Sequence, residues 1–214
     1  MSVKKLMVLV GAVLLILSLG TAAMAATIYL DQSLGGKIDN SIYSKDYNPY
    51  YLGLDIPLSS WQIELNYNYG TWKYPGNTAD CTNYTAKFGY SFVNIEAARV
   101  GVNLGDYYME YKGQNGGISK FNNDITLGLE ANFKLSPSFK LKLFWDDFVS
   151  GKYNMNGTDY DIKTLQMYQA KFTWMFAKSW GLDFGYLGGV QQAKFGSLNK
   201  VTLTNYILGF SYSF

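Results

Sequence analysis

An all-β chain, folded as an antiparallel up-and-down transmembrane β-barrel of ten strands, is what this 214-residue sequence predicts. Three observations carry that expectation. Apolar and polar residues alternate with period two along most of the chain, and aromatic residues make up 17% of it. No apolar run beyond Ala25 approaches the ~20 residues that a membrane-spanning helix needs. Sustained alternation gives a strand one apolar and one polar face.

The first element is an address. Lys4 and Lys5 precede an apolar run from Leu6 to Leu19, and Ala23-Met24-Ala25 supplies a small-x-small cleavage site. That order is the order of a secretory signal peptide, and the run is too short to anchor the chain as a helix. Residues 1–25 are therefore expected to be removed and residues 26–214 to form the barrel. Cleavage removes two lysines and no acid, so the remaining chain carries equal numbers of basic and acidic groups.

The strands follow in order. Trp61, Ile63, Leu65, Tyr67 and Tyr69 alternate with Gln62, Glu64, Asn66, Asn68 and Gly70. Tyr84, Ala86, Phe88 and Tyr90 oppose Thr85, Lys87, Gly89 and Ser91. Ile125, Leu127, Leu129, Ala131, Phe133 and Leu135 oppose Thr126, Gly128, Glu130, Asn132 and Lys134. At the C-terminus Tyr206, Leu208, Phe210, Tyr212 and Phe214 share a face, and Ile207 interrupts the opposite one. Short turns are expected at Pro57–Ser60, Val93-Asn94, Ser136–Ser138 and Ala177–Ser179. Longer loops are expected at Pro75–Asp80, Gly113–Asn123, Gly151–Asp159 and Gly196–Lys200. Five such up-and-down units give ten strands. Thr27–Ile38 alternates poorly, so eight strands remain the alternative.

The apolar face is too aromatic and continuous to pack inside a small barrel, while the other face is rich in Gly, Ser, Asn and charge. Apolar out and polar in satisfies both faces if the outside is lipid. Rings gather at two heights: Trp61, Phe92, Phe133, Phe139, Trp174, Phe176, Trp180 and Phe214 flank the short turns. Tyr67, Tyr69, Tyr74, Tyr84, Tyr107, Tyr108, Tyr111, Tyr153 and Tyr160 flank the long loops. Two such belts mark the edges of a bilayer.

With these features in place the chain resembles the small, porin-like class of bacterial outer-membrane β-barrels. Its ending, Tyr206 to Phe214, is similar to the C-terminal signature that outer-membrane assembly machinery reads. The resemblance implies an outer-membrane location, with lipid and that machinery as partners and small solutes or surface ligands as further ones.

Composition excludes several chemistries. Charged residues are 16% of the chain and the formal net charge is +2, which offers no footprint for nucleic acid. The sequence has one cysteine and no histidine, so it lacks an internal disulfide and any imidazole base. Barrel enzymes of the omptin, lipid-A acyltransferase, lipid-A deacylase and phospholipase families use a histidine, and none fits this composition. Asp146-Asp147 is an adjacent acid pair, but neighbours on a strand point to opposite faces. Asn154–Asp161 resembles a calcium loop faintly, with Lys152 where an acid is needed and no distal glutamate. Gly101–Gly105, Gly116-Gly117 and Gly188-Gly189 read as strand or turn glycines, and Cys81 as a thiol at the end of an outer loop. No catalytic residue, cofactor or metal site is expected.

What remains is the set of charges on the polar face: Glu64, Lys87, Glu130, Lys134, Lys140, Lys142, Asp146, Lys163, Lys171 and Asp183. Opposite signs pair within hairpins, as in Glu64 with Lys87, Glu130 with Lys140 or Lys142, and Lys171 with Asp183. Such pairs either plug a narrow bore or line a weakly selective pore. The expected function is a non-catalytic outer-membrane barrel, structural or passively conducting. An adhesin working through its outer loops and a soluble lipocalin-like binder are the alternatives.

Overall fold

The computed structural model describes residues 26–40, 44–74, 77–114, 116–193 and 200–214. The expected signal peptide, residues 1–25, and the tips 75–76 and 196–199 of two expected loops lie outside the described residues. The elements are β1 (Thr27–Asn40), β2 (Ser44–Asp46), β3 (Tyr50–Leu58), β4 (Trp61–Tyr74), β5 (Asn77–Ile95) and β6 (Ala98–Gly113). They continue as β7 (Ile118–Ser136), β8 (Phe139–Met155), β9 (Thr158–Met175), β10 (Trp180–Ala193) and β11 (Lys200–Ser213). Each strand pairs antiparallel with the next, and β11 returns to pair with β1 from Thr27↔Ser213 to Asn40↔Val201. Both β2 and β3 pair with β1, so together they form one broken stave interrupted at Tyr47–Pro49. The barrel is therefore closed with ten staves and no free edge.

Faces follow the alternation. Phe88, Leu104, Leu127, Leu129, Trp145 and Phe184 point outward and are exposed, forming the apolar belt of a membrane barrel. Outward rings stack across strands, as in Phe172 on Phe184 with centroids 5.6 Å apart. The irregular face of β1 has a local cause. A bulge between Leu34 and Lys37, with Gly35 at φ +66°, shifts the phase, so Leu34 faces out and Ile38 faces in.

The turns differ from expectation in two ways. The turn expected at Val93-Asn94 lies at Glu96-Ala97, because a bulge between Ser91 and Val93 carries β5 on to pair Ile95 with Ala98. The expected long loops are mostly wall. Asn77–Asp80, Ile118–Asn123, Gly151–Met155 and Thr158-Asp159 are all strand. β8 and β9 meet in a two-residue turn, Asn156-Gly157, with φ of 51° and 89°, the type I′ geometry that Asn-Gly favours. The faint calcium loop is thus a tight hairpin, tied by Asn154 Nδ2 donating to Asp159 Oδ1 at 2.6 Å. β5 and β7 each run 19 residues. At ~3.3 Å per residue they are about 60 Å long, and even when tilted they outreach a ~25 Å hydrocarbon layer. The barrel therefore stands well out of the membrane at the end opposite its termini, the distal end.

Candidate functional site

The barrel's interior divides along its axis. Towards the chain termini, polar chords cross the bore. Lys142 on β8 reaches Glu64 on β4 at 2.6 Å, Asp55 on β3 at 3.0 Å and Glu130 on β7 at 3.6 Å. Lys87 on β5 pairs with Asp146 on β8 at 2.5 Å and with its cross-strand partner Glu64 at 4.0 Å. Lys171 on β9 pairs with Asp31 on β1 at 3.3 Å and Asp183 on β10 at 3.6 Å. Three ammonium groups thus serve six carboxylates. Their stems are packed too: Lys87 Nζ lies 3.7 Å from the Phe144 ring centroid and Lys171 Nζ 3.6 Å from that of Tyr29.

Glycines in the wall make room for these groups. A Cβ on Gly128 would meet Asp146 Oδ1 at 1.9 Å, and one on Gly53 would meet the Tyr29 ring at the same distance. The bare backbone at Gly53 lets Tyr29 lie across the bore, where its hydroxyl donates to Asn66 Oδ1.

Towards the distal end the interior is mainly apolar, with Asp124, Gln191 and Asn205 as buried polar members. Ile38, Tyr107, Met109, Phe121, Leu165 and Leu203 belong to one buried cluster, with Trp72, Tyr111 and Tyr153 packed against it. The tyrosine hydroxyls there have partners: Tyr111 OH donates to Gln191 Oε1 at 3.0 Å, and Gln191 Nε2 donates to Tyr107 OH at 2.9 Å. Tyr107, Tyr111 and Tyr153 therefore sit inside, not on the outer belt that sequence spacing assigns them. Tyr74's side chain lies outside the described ones. Cys81 is also part of this cluster and is buried in β5, which corrects its placement on an exposed outer loop.

The remaining sequence-expected charges fall elsewhere. Lys163 is exposed, because the β9–β10 register shifts between Gln192 and Ala193 and Ile162 takes the inward position. Lys134 and Lys140 stand at the mouth beside the termini and are exposed. Asp146 is buried inside and Asp147 faces out, accepting from Gln166 Nε2 at 3.2 Å. Tyr206, Leu208, Phe210 and Phe214 are exposed on the outer face of β11 and Tyr212 is half-buried, while Ile207 is buried. Asp31 and Asp55 escape sequence reasoning. Asp31 lies just before the β1 bulge, and Asp55 could be found from Tyr51, Gly53 and Asp55 alternating with Leu52, Leu54 and Ile56.

At the terminal mouth the bore opens into a vestibule of about 420 Å³. Lys142, Lys171, Asp55 and Asp183 reach it from below. Arg99, Lys134 and Lys140 line its rim. Arg99 is held by the turn, donating from Nε to Ser91 Oγ at 2.7 Å and from Nη2 to Trp61 O at 2.6 Å and to Ser59 O. Lys134 Nζ donates to Glu96 Oε1 at 2.8 Å in the neighbouring turn, which holds that carboxyl below its ordinary range. Among the described residues no cluster of three or more acids, cysteines or histidines could hold a metal ion.

Solved outer-membrane proteins share this architecture. The outer membrane protease OmpT from Escherichia coli superposes with a TM-score of 0.54 at 11% identity, over 91% of this chain and 98% of that one. The COG4313 outer membrane channel from Pseudomonas putida F1 gives 0.48 at 10% identity, over 89% and 95%. Neisserial surface protein A gives 0.43 at 11% identity, over 90% and 98%. No protein-family model and no curated protein sequence matches the chain. At these identities the likeness is one of architecture, and by that architecture the chain is a closed, ten-stranded, antiparallel barrel of the bacterial outer-membrane kind.

Proposed function

We propose that the chain is an exported, non-catalytic outer-membrane barrel with a closed lumen and a structural role. Residues 1–25 act as its cleaved signal peptide, and the terminal mouth faces the periplasm. The carrying observation is the apolar cluster around Leu165 and Phe121, which packs side chains from β1, β6, β7, β9 and β11 into the distal bore. Hydrated ions do not cross a dry, close-packed layer. The ion-paired layer below it adds a second barrier. The absence of histidine from the whole chain supports a non-catalytic role, and two-residue ends such as Asn156-Gly157 leave little surface for a loop-borne adhesin.

Purified protein in planar bilayers should show no steady conductance. Replacing Glu64 and Glu130 by alanine should not open it, because the distal layer stays packed. A large, steady wild-type current would replace the structural role by solute conduction, and a current only in the double variant would move the seal to the charged layer. The outward row Tyr206, Leu208, Phe210, Tyr212 and Phe214 is the part we assign to recognition by the assembly machinery. Its test is the outer-membrane yield of the chain lacking Phe214, which should fall.

A further inference from the structure

Asp106 stands on the outer wall of the barrel, and we propose that it and the groove beside it hold a membrane lipid whose headgroup carries a protonated amine. The inference rests on that wall facing lipid and not on a closed bore. Asp106 lies on β6 between the inward residues Gly105 and Tyr107, and it is exposed. Its direct partners across the sheet are Ala86 on β5 and Ile125 on β7, and Ala86 pairs in turn with Leu65 on β4. From β4 to β7 this outward row is therefore apolar apart from one acid.

Its height gives the charge a meaning. Tyr67, Tyr84 and Tyr108 are direct partners in the next distal row, with successive ring centroids 5.2 and 5.8 Å apart. Such rings sit at headgroup level. Asp106 is two residues nearer the terminal mouth, which at ~3.3 Å per residue and a ~40° tilt is about 5 Å deeper. Its carboxylate thus starts from the edge of the hydrocarbon layer, where an ionised group calls for a partner. Neighbouring outward acids have theirs. Asp147 accepts from Phe148 N at 2.8 Å and from Gln166 Nε2 at 3.2 Å, and Glu110 pairs with Lys120 at 3.2 Å. Asp106 has neither a hydrogen bond nor an ion pair among the described residues. A headgroup amine is the cation within its reach.

The groove supplies the apolar half of the site. It measures about 620 Å³, and Ile63, Ala86, Phe88, Leu104 and Ile125 line it beside Asp106. Ala86 makes the dip, because its methyl group stands on β5 between two rings engaged elsewhere. Tyr84 packs with Tyr67 and Tyr108, and Phe88 stacks on Trp61 with centroids 4.9 Å apart. Ile63, Phe88 and Leu104 form the next row towards the middle of the membrane. The groove therefore runs down from the carboxylate as an acyl chain runs down from its headgroup. Charge selects the headgroup, since Asp106 repels an anionic one. A second copy of the chain fits less well: a two-fold contact centred on the groove would set Asp106 against Asp106.

The test is native mass spectrometry of the full barrel refolded in detergent and loaded with defined lipids. The probes are dioleoyl phosphatidylethanolamine, its N-acetyl derivative and dioleoyl phosphatidylglycerol, which share their acyl chains and phosphate. The ethanolamine lipid should be retained as a one-to-one adduct at least about tenfold more tightly than either other lipid, a difference of about 1.4 kcal/mol. Asp106→Asn should remove that preference, and Ala86→Phe, which fills the groove, should weaken the ethanolamine adduct by a similar factor. Both positions face outward, so the variants are expected to fold, and heat-modifiable migration on gels checks this. The lipid comparison decides the matter without any variant. Equal retention of the three lipids overturns the inference, because apolar contact alone would then explain it. So does an unchanged preference in Asp106→Asn, which would place the amine elsewhere on the wall. A dimer that sheds the lipid overturns it as well and assigns the groove to a second copy. None of these outcomes bears on conductance, so this inference and the closed-lumen reading fail separately.

Discussion

The two halves of the bore close the same barrel with opposite chemistry. The half near the termini is filled by Lys87, Lys142 and Lys171 and the carboxylates they bridge, while the distal half is filled by Leu165, Phe121, Ile38 and their neighbours. The difference tracks what lies outside. Where the outer face is bare Leu and Phe, lipid takes the apolar side of each strand and the polar side must go inward. Further out along the same strands, Asp80, Lys112 and Asp161 face outward and are exposed, so water takes the polar side and the apolar one turns in. The barrel is a membrane protein at one end and resembles a soluble β-protein at the other. Where no bulge intervenes, a strand keeps its pointing direction along its length. On β6, Asn103, Tyr107 and Met109 all face inward, but the chemistry of that face changes from polar to apolar on the way up.

The two fillings should fail differently. Lys142 forms ion pairs with Asp55, Glu64 and Glu130, and removing it takes that charge away from three carboxylates at once. Lys142→Ala should therefore give the largest loss, about 3–5 kcal/mol in urea unfolding of the refolded barrel. Replacing Lys87 and Asp146 together by Met and Leu should cost far less than either single change, because a buried ion pair contributes little over a well-packed apolar one. Equal costs for single and double variants would mean that the layer is wetter than its geometry indicates.

In the distal half the same logic predicts a smaller and simpler effect. Leu165 is fully buried, and Leu165→Ala should cost about 2–4 kcal/mol, the transfer of the lost methyl groups plus the cavity they leave. The buried thiol of Cys81 reports on the same layer. It should resist a membrane-impermeant maleimide on intact cells in the wild type and gain reactivity in Leu165→Ala. Ready labelling of the wild type would show that the distal layer opens, and would remove the basis for a sealed bore.

These two layers were unequally legible in the sequence. Period-two alternation placed Glu64, Lys87, Lys142, Asp146, Lys171 and Asp183 on one face because membrane strands keep apolar residues strictly on the other. The same rule misread the strand extensions. Once both lipid and water have been left aside as fixed references, a run such as Gly151 to Asp159 shows polar residues at every height and looks like a loop. Gly151, at φ +147°, explains part of that appearance, since a Cβ there would meet Asp124 Oδ1 at 1.8 Å. Bulges account for the rest. They insert a residue without any compositional mark, and so displaced Lys163 outward and hid Asp31 in an irregular strand.

The smallest effect sharpens the comparison most, because it repeats the chemistry of the charged layer in water. Lys152 and Asp161 are direct partners across β8 and β9 near the distal turn, in hydrogen-bond contact, and each side chain is 56% exposed. By contact geometry this pair matches Lys142 with Glu64. Both groups, however, stay solvated after folding, so their attraction is weak, and ordering two flexible side chains offsets most of it. Asp161→Ala should therefore cost no more than about 0.5 kcal/mol, and added salt should erase that. The Lys142→Ala loss should persist at the same salt, since the side chains of Lys142 and Glu64 are only 10% and 2% exposed and buried pairs are screened far less than exposed ones. If the two variants instead responded alike to salt, the interior pairs would be bathed in electrolyte, and the charged half would be part of an open path and not a plug.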